Sequence, residues 1–376
     1  MSEPNDPMER RLERAEFLKL AAATGGAGLL ANLGAGAARA SGVAAASLSA
    51  ESGKLQVLDW AGYGFDGGTA MFSQYLKTYP KNKPQFTNMT NEADALAKLH
   101  AGIKPDIVRP YNGWVKYFAD SGFVQPWDTT LIPNFKHLNP VMVKGGQYQG
   151  KQYGIPADWG FDSLLYRTDK VKPKAQSWGL MFDDRYKGRI AWYDDGVEMF
   201  IATGYYLGFK DPHNLTDAQL KQAQKLLISK KKNVRMIWAS ETDMDTAFAS
   251  GEIWIAYAWP NDWVQMKAKK LPVVYMKPKE GALAWIGMLM LGKDTPRPKL
   301  AHAYADAWSS KQSGSWLEDN YGYGHANLLA KPKSNDLLKA LKLNDPKAVA
   351  EPNSHPDRDV PRRALYNKLW EEVKAS

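Results

Sequence analysis

From residue 54 onward the chain alternates short apolar runs of strand length with longer stretches in which apolar residues recur every three or four positions. KLQVLDW (54–60) reads as a buried strand, GTAMFSQYLKTYP (68–80) as an amphipathic helix stopped by Pro80, and PQFTNMT (84–90) as a second strand. NEADALAKLHAG (91–102) has the form of a helix with Asn91 as N-cap and Gly102 as its stop. PDIVRP (105–110) and GWVKYFADSG (113–122) supply a third strand and a further helix. The alternation breaks at 145–169, where two strand-like stretches around Pro156 predict a crossing between lobes. It resumes with strands in GRIAWYDD, NVRMIW and EIWIAYAW. Helices are expected in GVEMFIATGYYLG, LTDAQLKQAQKLLISK (N-cap Thr216) and ETDMDTAFASG. PVVYMKPKEGALAWIGMLML then leads strands back, and the remainder reads as helical with a charged tail. Strands alternating with helices predict an α/β chain of two lobes, each a mostly parallel sheet flanked by helices, joined by more than one crossing.

The first forty residues follow another rule. A charged start containing Arg10, Arg11, Arg14 and Lys19 precedes a small-residue apolar run, Leu20 to Ala38, and an Ala38-Arg39-Ala40 cleavage pattern before Ser41. That is an export signal. RAEFLKLAAATGG resembles a twin-arginine signal, with Arg14 in the first arginine place and Ala15 in the second. The Gly/Ala-rich run falls short of the roughly twenty strongly apolar residues that spanning requires. With no cysteine in 376 residues, a lipid-anchoring cysteine, disulfides and thiolate chemistry are all excluded. Acidic and basic residues balance within the signal, so the formal net charge of +9 belongs to the mature chain. Its lysines are scattered apart from Lys230, Lys231 and Lys232, which describes a solvated basic surface rather than a nucleic-acid interface.

Motifs of catalysis are missing. The histidines at 100, 137, 213, 302, 325 and 355 lack metal-ligand spacing, and no G-x-S-x-G, P-loop or G-x-G-x-x-G lies between a strand and a helix. AWYDDGVEMF (191–200) is the sharpest candidate, because it delivers Asp194 and Asp195 to a strand's carboxyl end with Glu198 one turn into the next helix. Ligands of open α/β sheets bind there. Three readings stand: Asp195 as a helix cap, a carboxylate pair in an exported hydrolase, or an anchor for a ligand. Fourteen tryptophans, with Trp60, Trp159, Trp259 and Trp285 at predicted strand ends or loops, favour the third. Ring faces beside carboxylates hold organic cations. Arg109 near a strand end keeps a ligand with an anionic group as a competitor.

Seven segments in order carry a resemblance: LDWAGY (58–63), PDIVRPYNGWVKYFADSGFVQPWD (105–128), YGIPADWGFDSLLYRTDKV (153–171), SWGLMFDDRYKGRIAWYDDGVEMF (177–200), FASGEIWIAYAWPNDW (248–263), PKEGALAWIGMLML (278–291) and YGYGHANLLA (321–330). Together they resemble the periplasmic spermidine/putrescine-binding proteins of bacterial ABC importers. The resemblance implies a type II periplasmic-binding-protein-like fold whose lobes close on a ligand and present it to an inner-membrane permease. It places ligand contacts on Trp60, Tyr63, Tyr111, Asp195, Glu198, Trp259 and Trp285. It also shows a departure, since the carboxylate expected two residues after Trp285 is Gly287. Asp158, Asp162 or Asp262 could replace it; otherwise the ligand has a single cationic end, because an unpaired buried ammonium is costly.

The resulting expectations are a signal at 1–40, a linker at 41–53, one lobe from 54–156 and 286–331, and the other from 157–285 and 332–376. The protein is expected to be an exported, periplasmic monomer. It binds a small organic cation, polyamine first and quaternary ammonium second, and it needs no cofactor, metal or nucleic acid.

Overall fold

The computed structural model describes residues 51–64, 68–332, 338–339, 342–343, 345 and 354–376. The expected signal and residues 41–50 of the expected linker lie outside them. Fourteen strands are described: β1 (Gln56–Trp60), β2 (Gln85–Met89), β3 (Ile107–Val108), β4 (Val124–Gln125), β5 (Gln147–Tyr148), β6 (Lys151–Gln152), β7 (Gly154–Arg167), β8 (Ile190–Tyr193), β9 (Val234–Trp238), β10 (Ile255–Ala258), β11 (Val273–Tyr275), β12 (Ala282–Gly292), β13 (Gly324–His325) and β14 (Ser354–Pro356).

The main sheet runs in the order β2-β1-β3-β12-β7-β10-β8-β9. At one end β2, β1 and β3 are parallel, and at the other β10, β8 and β9 are parallel. Between them β12 and β7 are antiparallel to each other and to the outer strands. β7 is the joint: its first part pairs with β12, and Ser163–Tyr166 pair with β10. The two stretches expected around Pro156 are therefore a β5–β6 hairpin followed by one continuous 14-residue strand. Pro156 has no N–H to donate, and it sits where β12 shifts register between Ile286 and Met288.

Local signals explain the helices. The Asn91 side chain accepts the Asp94 N–H at 2.8 Å, opening the helix Glu92–His100, and Gly102 follows it at φ +95°. Thr216 and Gln219 form a reciprocal capping box for Asp217–Lys231. The helix Pro260–Ala268 is an addition to the expected elements, although Pro260 at its first position and Asp262 two residues on are the usual start signals. The C-terminal segment runs from the middle of the sheet to the helices beside β8 and β9. β14 pairs with β12, whereas the helix Arg363–Ala375 packs on the helices Gly196–Tyr206 and Asp217–Lys231. Much of the tryptophan serves the core: Trp159, Trp178, Trp192, Trp238 and Trp308 are fully buried. Among the described residues, no helix is long and apolar enough to cross a membrane.

Candidate functional site

Two groups of acids lie at the strand ends. The first is built on β1, β3 and β7. Arg109, just past β3, donates from Nη1 to Asp59 Oδ1 at 2.9 Å and from Nη2 to Asp158 Oδ1 at 2.6 Å, and all three side chains are fully buried. The guanidinium carbon lies 3.7 Å from the centre of the Tyr63 ring and 4.9 Å from that of Trp308. The Tyr63 hydroxyl donates to Asp158 Oδ2 at 2.7 Å. Burial opposes the charge on Arg109, but Asp158 and Asp59 overcome that and hold its pKa well above the usual value. Arg109 is thereby neutralised by two carboxylates, which removes its support for an anionic ligand.

The second group forms where β7, the end of β8 and the C-terminal segment converge. A small cavity is lined by Asp162, Glu198 and Asp357 against Ile201, Leu283 and Trp285. The Tyr257 hydroxyl lies 3.0 Å from Asp162 Oδ2 and 3.3 Å from Glu198 Oε2, so it bridges two carboxylates with a single proton. Asp162 is 6% exposed, and Tyr257 and Trp285 both lower its pKa through side-chain hydrogen bonds. Asp357 accepts the Gly113 N–H at 3.0 Å, and its own N–H bonds the Ala284 carbonyl at 2.6 Å. Close by, Glu92 accepts the Tyr111 N–H at 3.1 Å.

Crowded acids with little water resist ionisation. Burial, then the charges of Asp162, Asp357 and Asp195, push the Glu198 pKa well above its ordinary value. Burial likewise raises Asp162 and Asp195, lifts Asp357 to about 6 and takes Glu92 to about 8. The counterweight is Arg363, which lowers Asp195, Glu198 and Asp357. Its guanidinium lies 3.9 Å from the Trp114 ring centre and donates to the Gly113 carbonyl at 3.5 Å. Five acids, Glu92, Asp162, Asp195, Glu198 and Asp357, thus share the field of one arginine.

The other expected site residues distribute unevenly. Asp195 caps the helix Gly196–Tyr206, with Oδ1 accepting the N–H groups of Val197 at 2.8 Å and Glu198 at 3.0 Å. Its cap role is thus real, and it also raises Glu198. Asp194 turns away to Lys374 Nζ at 2.8 Å and Trp370 Nε1 at 2.7 Å. Trp60, Tyr111 and Trp285 form one aromatic run, with centroids 4.9 and 5.1 Å apart, and Tyr323 meets Trp285 edge-on at 4.9 Å. Trp259 belongs to a separate cluster with Tyr193 and Trp238. Asp262 accepts the Trp259 N–H at 2.7 Å and fixes that turn, while Asp158 is held by Arg109 and Tyr63. Of the three replacements considered for Gly287, Asp162 is the one that lines the cavity. Tyr257, Asp357 and Glu92 were not among the expected site residues. Tyr257 stands on a visible strand, but nothing in PDRD (356–359) announces that Asp357 folds back onto β12. Among the described residues, no group of three or more His, Asp or Glu side chains is disposed to hold a metal ion.

The sequence profile of the bacterial extracellular solute-binding proteins matches residues 70–335. The putrescine/cadaverine-binding protein of Pseudomonas aeruginosa is 28% identical over 368 residues, covering 92% of this chain and 98% of its own. Spermidine/putrescine-binding periplasmic protein 1 of Haemophilus influenzae is 25% identical over 273 residues, 72% and 75% of the two chains. Among solved structures, the spermidine/putrescine ABC transporter substrate-binding protein PotD of Streptococcus pneumoniae superposes with a TM-score of 0.68 at 18% identity, covering 86% of this chain and 99% of that one. That likeness shows the type II periplasmic-binding-protein fold.

Proposed function

This chain belongs to the bacterial extracellular solute-binding protein family, and we propose that it captures a small organic cation in the periplasm for an ABC importer. The observation that carries the choice of ligand is the convergence of Asp162, Glu198 and Asp357 on one small cavity bounded by Trp285. An ammonium placed there would ionise acids that burial now holds protonated, and it would meet the edge of the Trp60–Tyr111–Trp285 run. The relatives named for putrescine, cadaverine and spermidine make amines the first class to test. Closure of the two halves around the ligand would then offer the permease a distinct surface. We take the protein to act as a monomer, with lobes divided as the sequence suggests, near β7 and β12. Export by the N-terminal signal supplies the compartment. Calorimetric titration of the purified protein with putrescine, spermidine, choline and betaine is the direct test. Binding of at least one ammonium ligand is expected, and no heat from any of them refutes the cation reading.

A further inference from the structure

The segment from Asp357 to Tyr366 is anchored to both halves of the molecule. On the half built on β1, β2 and β3, Asp357 Oδ2 accepts the Gly113 N–H at 3.0 Å and the Asn112 side-chain amide donates to the Asp357 carbonyl at 2.6 Å. The Tyr117 hydroxyl donates to the carbonyl of the fully buried Val360 at 2.9 Å, and Arg363 lies over the Trp114 ring. On the half built on β8, β9 and β10, Arg358 pairs with Asp211 and Arg362 with Asp217. There the Arg362 guanidinium also donates to the Leu215 carbonyl at 2.9 Å. The Tyr366 hydroxyl donates to the Pro212 carbonyl and accepts the Leu215 N–H, both at 2.8 Å.

The two anchorages are unequal. The second continues into the helix Arg363–Ala375, whose Tyr366, Trp370 and Val373 are buried and which packs on the helices Gly196–Tyr206 and Asp217–Lys231. The first is a handful of contacts to one short stretch, 112–117. Burial of several large apolar side chains outweighs a few hydrogen bonds, so separation of the halves breaks the first anchorage and carries the segment away with its helix. Asp357 belongs to this anchorage and to the cavity lining at once. Burial lifts its pKa to about 6, a cation in the cavity favours its ionised form, and a carboxylate accepts the Gly113 N–H more strongly than a neutral acid does. Position 113 is shaped for that contact: its backbone is not left-handed, but a Cβ there would come within 2.3 Å of Asp357 Oδ2.

We propose that residues 357–363 are a clasp, which grips 112–117 when the halves close and which a cation in the cavity tightens through Asp357. Gly113 and Tyr117 are its positioning residues: neither lines the cavity, and they act through Asp357 and Val360. The tightening step rests on the reading of the Asp162–Glu198–Asp357 cavity as a cation site, whereas the grip itself does not. Because the chain has no cysteine, spin labels can be placed uniquely at Lys104→Cys and Lys221→Cys, exposed positions on opposite halves, to report the separation of the halves by dipolar spectroscopy. The ligand-free parent is expected to populate the closed separation, and Tyr117→Phe and Gly113→Ala are each expected to lower that population about two- to tenfold. Absence of the closed population from the parent, or equal populations in the parent and every variant that folds, overturns the clasp. In stopped flow, putrescine is expected to leave Tyr117→Phe about three- to tenfold faster than the wild type, with association rates within about twofold of each other. Binding with equal dissociation rates overturns the coupling to the cavity. Absence of binding by putrescine, spermidine and choline refutes the cation site and with it the tightening step, and the ligand-free populations then decide the grip.

Discussion

Cation binding at the acid cluster should be tied to proton release. Asp357 has a pKa of about 6 in the ligand-free fold against an ordinary 3.8, with burial the main cause. A bound ammonium favours the ionised form and draws that pKa back toward 4. The sign follows: between those values the free protein holds a proton that the complex has lost, so affinity falls as pH falls through the free-state pKa. For one carboxylate moving from 6 to about 4, affinity at pH 5 is about tenfold weaker than at pH 7. Glu198 and Asp162 are also raised, with burial again leading, so their ionisation on binding adds to the loss in the same direction. Arg363 faces the same acids and offsets part of their mutual repulsion. The assay is calorimetry from pH 5 to 8 in buffers of differing ionisation enthalpy, with a ligand that stays fully charged, such as choline or a primary aliphatic amine. A flat profile, or tighter binding at pH 5, would refute the reasoning.

Glu198→Gln should act in opposite directions on binding and on stability. Ammonium affinity is expected to drop about ten- to hundredfold with the loss of a charged partner. The melting temperature of the free protein at pH 8 should rise, because a carboxylate with a raised folded pKa costs stability as pH climbs through it; a lower melting temperature at pH 8 would contradict this. Trp60→Leu, at a partly buried ring of the aromatic run, is expected to weaken ammonium binding about two- to thirtyfold in calorimetry. Gly287→Ala sets a Cβ 2.2 Å from Asp158 Oδ1, and thermal unfolding should show a loss of about 1–3 kcal/mol. Lys374→Ala removes a partly exposed pair with Asp194 and should cost less than about 1 kcal/mol while leaving ligand affinity unchanged.

The parallel strands and most helices were legible because their signals are local. Asn91, Thr216 and the apolar runs of β1, β8 and β10 each act within a few residues. The separate roles of Asp194 and Asp195 were half legible: the cap follows from position, but the pull of Lys374 and Trp370 on Asp194 spans the chain. Long-range charge pairing was hidden. Asp59 and Arg109 are 50 residues apart, and their meeting depends on the pairing of β1 with β3. An arginine read from sequence as an attraction for anions turns out to be held by two acids. Asp357 is hidden for the same reason, since its place depends on contacts with Gly113 and Ala284 far away in sequence.

β7 and β12 run side by side through the middle of the molecule, and β14 lies along β12. Hydrogen-bonded strands resist stretching and sliding far more than they resist bending across their width. The two ends of the sheet are thus mounted on a leaf spring, whose softest motion is a change of angle. Asp158 and Asp162 are fixed to that spring, and Asp357 is fastened to it through Ala284. Neutralising the acids of the cavity would therefore act directly on the strands that join the two ends of the sheet.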